Sequence, residues 1–363
     1  MTKKLFLPGP TEVRKEVLEE LKKPQIGHRS KDFEEIFSKT KPGLKQLFGT
    51  ENDVLVSTSS GSGFWESFIR SCVNENVLHA VNGCFSDKWA NLSKWCDKQP
   101  KRVNFEYGDP VTAKKIDKAL TNGNYEAFCM VHNETSTGVA SNLEDISKVM
   151  EKHKGVLWGV DAVSSLAGMP LNVDKYGIDF CLASSQKALG LPPGLAIASV
   201  SKKAYKKAKN VKGKGYYFNI LKLKKKYEKN QTLYTPSIPH IYALKKQLER
   251  IEKEGLKNRF KRHKKMAEFA RKWAKDNGLE LFAKKGYRSN TVTCVSNTKN
   301  MDIEKMKQEL ANKGYAIDNG YGKLNKKLKS EGQPNTFRIP HMGDWSLEEL
   351  KEILNKYEKY IGE

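Results

Sequence analysis

The chain has 363 residues, 38% of them apolar, and a formal net charge of +23 from 65 Lys and Arg against 42 Asp and Glu; 55 of those cations are lysines. Six well-separated cysteines with no Cys-x-x-Cys pair exclude a disulfide framework and a zinc ribbon, and no apolar run approaches the roughly 18 residues of a membrane span. At roughly 150 residues per domain the length predicts two domains, and an opening that breaks at Pro8 before any signal-peptide core forms predicts a reducing, cytoplasmic setting.

Taken in chain order, short apolar runs at 54–56, 77–81, 128–131, 156–160, 178–183 and 195–200 predict strands buried on both faces, as in a mostly parallel sheet. Between them, helix-period segments at 61–72 and 143–153 predict crossover helices, so the fold class is α/β. Residues 201–230 carry twelve lysines. A long helical stretch at 240–277, interrupted near Gly255, leads into a smaller α+β pattern. That pattern has a strand at 291–295, a helix capped by Asp302 and Gly314, and a last helix opening on the capping box Ser346–Glu349 and running to about Ile361. The expected organisation is an N-terminal segment 1–15, a large α/β domain 16–255 and a small C-terminal α+β domain 256–363.

Three features carry chemistry. Ser59-Ser60-Gly61-Ser62-Gly63-Phe64 follows a strand and opens an amphipathic helix, where free N–H groups and the helix dipole suit a phosphate, although neither a P-loop nor a full G-x-G-x-x-G spacing is present. Asp161 ends the strand at 156–160, where ligands of open α/β sheets bind. Lys187, in Ser185-Gln186-Lys187-Ala188-Leu189, follows another apolar run with small apolar flanks, the setting in which an amine loses its proton and becomes a nucleophile. Singly, the loop reads equally well as a turn, the Asp as a cap and the Lys as one among 55. Together they are the parts that pyridoxal phosphate requires: an anion loop, an acid for the ring nitrogen and an amine for the aldehyde.

The sequence resembles the class V, fold-type-I pyridoxal-phosphate aminotransferases, closest to the serine/alanine–glyoxylate (serine–pyruvate) branch. The resemblance runs from Leu7-Pro8-Gly9-Pro10-Thr11 to Phe337-Arg338-Ile339, through Gly27-His28-Arg29-Ser30, His132-Asn133-Glu134-Thr135, Val160-Asp161-Ala162-Val163 and Ser185-Gln186-Lys187-Ala188-Leu189 with Pro192-Pro193-Gly194. It implies that Lys187 is the Schiff-base lysine and then the proton carrier, and that Asp161 pairs with the pyridinium nitrogen. Ser62, the Gly63 and Phe64 amides and Gln186 would take the phosphate, Thr135 the ring 3-oxygen, and Phe85 would stack on the ring, with core packing the competing reading for Phe85. Gly9 and Arg338 would meet the substrate, Arg338 through its planar fork, with a structural ion pair as the competing reading. Thr235, in a loop that crosses a dimer interface in the family, would reach the partner's phosphate in a homodimer.

The resemblance implies transamination between a small amino acid and a 2-oxo acid such as glyoxylate or pyruvate. Two departures bear on substrate choice: bulky Phe64-Trp65 beside the phosphate loop, and the lysine-rich 201–230 segment. His28, His132 and His341 read as hydrogen-bonding residues, and Cys84 and Cys181 as small hydrophobes. Alternatives of the same fold are a pyridoxal-phosphate lyase or decarboxylase, or a phosphonate- or phosphoserine-type aminotransferase. A cysteine desulfurase is disfavoured because no cysteine follows Cys294. The charge alone would suit a basic nucleic-acid binder, but the lysine cluster has few arginines and reads as a solvated helix face.

Overall fold

The computed structural model describes residues 3–361. A seven-stranded sheet forms its centre, in the spatial order Asp53–Thr58, Leu195–Val200, Phe180–Ser184, Leu157–Asp161, Ala127–Val131, Asn76–Val81 and Gln99–Asn104. Every neighbouring pair is parallel except those made by Leu195–Val200, which runs against both its partners. The strands Ala127–Val131, Leu157–Asp161, Phe180–Ser184 and Leu195–Val200 are buried at every residue, which is why they appear in the sequence as unbroken apolar runs. The expected mostly parallel α/β architecture is therefore present. Gln99–Asn104 escaped the sequence reading because it is an exposed edge strand written in polar residues.

Helix Gly61–Cys72 packs against this sheet through Phe64, Phe68, Ile69 and Cys72. It approaches closely because Gly159 of the central strand has no side chain: a Cβ there would lie 2.5 Å from the Phe68 ring. That approach places the start of the helix beside the carboxyl ends of the strands. The expected helix at 143–153 ends earlier, at Met150. The stretch at 240–277 is two helices, Ile238–Glu254 and Leu256–Asp276, parted at Gly255, whose φ of +77° breaks the helical path.

Two hydrophobic clusters dominate. One is drawn from residues 17–251; the other joins Phe6 to residues between Met266 and Tyr360. Phe6 arrives there because Lys4–Phe6 pairs in parallel with Tyr315–Ile317, a two-stranded sheet too short to read from sequence. A three-stranded sheet, Glu280–Leu281, Val292–Ser296 and Thr336–Pro340, backs the second cluster. Asp302 caps helix Ile303–Asn312 through the Lys305 N–H, and the Ser346–Glu349 capping box opens the last helix, which is α-helical to Tyr357 and tightens into a 3-10 turn to Tyr360, close to the expected end at Ile361. Among the described residues no helix is long and apolar enough to cross a membrane.

Candidate active site

A cleft of about 370 Å³ opens at the carboxyl ends of the central strands. It gathers Gly9, Ser62, Phe85, Thr135, Asp161, Gln186 and Lys187, seven of the residues singled out in the sequence although they are separated by up to 178 positions.

Lys187 is held by the turn that precedes Leu195–Val200. Ser185 accepts the Leu195 N–H and donates to the Pro192 carbonyl, the buried Arg259 donates to the Ala188 carbonyl, and Gln247 to that of Leu189. The lysine Nζ donates to the Pro8 carbonyl and lies 5.9 Å from the centre of the Phe85 ring. Burial above all, with Arg338 adding to it, pushes this amine down to about 8, so a nucleophilic free base is within reach near neutral pH.

Asp161 ends the central strand with its carboxylate in the cleft. Oδ1 accepts the Val163 N–H at 2.7 Å and Oδ2 accepts the Trp65 indole N–H at 2.7 Å. Burial with only neutral donors in contact pushes its pKa up to about 7. Thr135 exchanges a hydrogen bond with Ser164 at 2.5 Å. Phe85 opens helix Cys84–Trp95, where Glu134 caps the Phe85 and Ser86 N–H groups. Its ring is 5.1 Å from that of Tyr321, so it is half-buried at the cleft rather than wholly in the core.

Four expected residues do not line the cleft. Phe64 turns into the core against Phe180, and the Gly63 amide is already engaged by the Ser60 carbonyl at 2.9 Å. At the loop, Ser60, Gly61 and Ser62 reach the cleft instead. Thr235 is exposed, on a loop pinned by Tyr234 to Ser57 and by the Ser237 N–H to Thr58. Arg338 lies just behind the wall, donating to the Thr135 carbonyl at 3.3 Å and paired with the buried Asp318.

Sequence reasoning missed Asp318, Asn133, Ser184 and the bond from Trp65 to Asp161. Trp65 was visible only as bulk beside the loop, because nothing in a linear pattern tells which acid an indole N–H will meet. His132 and His341 are buried and hydrogen-bonded to Ser165 and Thr293, and burial pushes both imidazoles down, to about 4 and about 3. Cys294 is buried mid-strand with its thiol pushed up to about 12, which leaves no thiolate for sulfur transfer.

The residues fit a flat, anionic, nitrogen-containing ring. The side-chain oxygens of Asn133, Ser184 and Gln186 line the cleft, are buried, and have no protein partner. A helix start, an acid and a buried amine line the same cleft. Fold and site together define a pyridoxal-phosphate-dependent transaminase of fold type I.

Residues 5–343 match the model of the family described as aminotransferase class-V, and the chain belongs to that family. It is 39% identical to an uncharacterised aminotransferase of Methanocaldococcus jannaschii over 94% of this chain and 88% of that one. It is 32% identical to a serine–glyoxylate aminotransferase of Methylorubrum extorquens over 94% and 86% of the two chains. The crystal structure of an alanine–glyoxylate aminotransferase from a Nostoc species superposes with a TM-score of 0.91 at 25% identity, covering 99% of this chain and 95% of that one.

Proposed function

We propose that the protein transfers an amino group between a small amino acid, serine, alanine or similar, and a small 2-oxo acid, glyoxylate or pyruvate. The observation that carries this reading is the pairing, in one cleft, of a buried amine lowered to about 8 with a buried carboxylate at the end of the central strand. The likeness to the serine–glyoxylate and alanine–glyoxylate aminotransferases supports the choice of substrates.

Bound there, pyridoxal phosphate supplies an electron sink that loosens the amino acid's Cα–H bond. This chain's residues would do the rest. Lys187 would hold the cofactor through its amine and, once freed, would serve as the base and acid that moves the substrate's proton. Asp161 would keep a proton on the ring nitrogen, Ser62 and the helix start would take the phosphate with Gln186, and Thr135 would serve the ring oxygen. Phe85 would cover the ring, Gly9 would leave room for the substrate beside Lys187, and Arg338 would receive the substrate carboxylate. A homodimer belongs to the same proposal: Thr235 is exposed, on the loop that the family resemblance puts across a dimer interface. So does the division at about residue 255, which the two separate hydrophobic clusters support.

The test is a matrix of amino donors against 2-oxo acid acceptors with purified holoenzyme, each half-reaction followed in the cofactor's absorbance. Turnover of serine or alanine with glyoxylate or pyruvate is expected. Spectral change confined to phosphorylated or bulky donors would overturn the substrate assignment.

A further inference from the structure

Asp161 is a buried carboxylate whose two contacts at its oxygens, Val163 N–H and Trp65 indole N–H, are both neutral. The charged groups facing it are Lys187, whose attraction is minor, and Glu134, which repels it; the neighbouring Cys181 thiol is buried and neutral. Glu134 is itself consumed by Phe85, Ser86 and Ser136. A carboxylate in such a place protonates readily unless its donors are firmly held.

Trp65 is firmly held. It is 4% exposed, and its rings stack on those of Trp89 at 5.8 Å and 13°. Trp89 is wholly buried, with Phe68 and His79 edge-on to it. The indole therefore has little freedom to turn away, and its N–H points at Oδ2 from the second turn of the helix whose start lines the cleft.

We propose that Trp65 is the positioning residue of Asp161: its N–H fixes one carboxylate oxygen, favouring the ionised acid against the pull of burial and aiming it at the cofactor's ring nitrogen. A neutral donor here does what a cation would otherwise do, and it does so without adding a positive charge that would oppose the protonated ring. The proposal rests on the assignment of Asp161 to that nitrogen. It also ties the phosphate loop and the ring acid into one rigid unit, because a single helical turn presents Ser62 to the cleft and Trp65 to Asp161.

The experiment measures the affinity of the full-length protein, stripped of cofactor, for pyridoxal phosphate between about pH 6 and 9, in wild type, Trp65→Phe, Trp65→His and Asp161→Asn. Loss of one hydrogen bond to a charged group corresponds to roughly 10- to 100-fold. Trp65→Phe should bind that much more weakly near pH 7. The deficit should close toward pH 9, where Asp161 is ionised without help, and Trp65→His, which restores a ring N–H, should recover part of it. A ratio of Trp65→Phe to wild-type affinity that is flat with pH, or near one, would overturn the proposal, since a packing defect is indifferent to pH. If Asp161→Asn binds the cofactor as tightly as wild type, the assignment of Asp161 fails instead.

Discussion

Arg338 and Asp318 form a side-on, two-bond ion pair: Nη2 lies 2.6 Å from Oδ1 and Nε 3.0 Å from Oδ2. Oδ2 also accepts the backbone N–H groups of Arg338 and Gly320, so the carboxylate holds four donors. One edge of the guanidinium is thus spent inside the protein, and a substrate carboxylate would have to use the remaining Nη1 side, now on the Thr135 carbonyl. The ion-pair and substrate readings of Arg338 are therefore compatible.

This pairing predicts that Arg338→Ala confounds binding with folding. It strands a buried carboxylate, at a cost of about 3–5 kcal/mol. Denaturant unfolding should show that loss, and Arg338→Ala/Asp318→Ala should recover most of it. If Arg338 also grips substrate, KM for amino acids stays raised in the recovered double variant; a wild-type KM there would limit Arg338 to a structural role.

The buried Lys187 amine imposes a pH dependence on the stability of the cofactor-free protein. Its pKa falls from 10.5 in the unfolded chain to about 8 when folded, so between these values the unfolded state binds more protons and stability rises with pH. Below about pH 8 the folded state bears the whole cost of a buried charge, about 3 kcal/mol. Compared with Lys187→Met, the wild-type apoprotein should therefore be relatively least stable below pH 8 and close the gap by about pH 10.5. Lys187→Met should also lack the visible band of lysine-bound cofactor and all turnover. A difference between the two unfolding curves that does not vary with pH would show that the amine is solvated.

Asp161 acts in the opposite sense. Its pKa rises from 3.8 to about 7 on folding, so between those values the folded state holds a proton that the unfolded chain has lost. Stability then falls as pH rises through this window, by up to about 4 kcal/mol, and the cost is complete above pH 7. The difference in unfolding free energy between apo wild type and Asp161→Asn should change in that direction between about pH 4 and 7. Bound cofactor should flatten it, because the ring nitrogen then supplies the missing cation.

Much of this was legible in the chain because burial on both faces writes a strand as an unbroken apolar run. Leu195–Val200 could be read to the residue, although not its reversed direction, which depends on a turn rather than on composition. Asp161 stood out because it follows such a run directly, and Lys187 because it lies in the turn just after another. What stayed hidden depends on contacts between distant segments: Asp318 beneath Arg338, the Trp65 N–H on Asp161, and the Pro8 carbonyl on Lys187. Edge strand Gln99–Asn104 stayed hidden for a different reason, since its exposed faces leave no hydrophobic signature.

Gly9 gives the sharpest steric prediction. A Cβ on this residue would sit 2.4 Å from the Lys187 Nζ and 2.5 Å from its Cδ and Cε, and the backbone φ of +114° is one that side chains rarely adopt. The first effect blocks the amine and the second strains the strap formed by Pro8 and Pro10, whose Pro8 carbonyl accepts from the same amine. Gly9→Ala should therefore push Lys187 out of position while leaving the central sheet intact. The expected outcome is near-wild-type far-ultraviolet circular dichroism, a visible cofactor band reduced or shifted, and turnover lowered by at least about a hundredfold, a misplacement of roughly 1 Å at the reacting group being enough for that. A Gly9→Ala protein with an unchanged cofactor spectrum and normal turnover would mean that the N-terminal strap stands clear of Lys187 in the working enzyme.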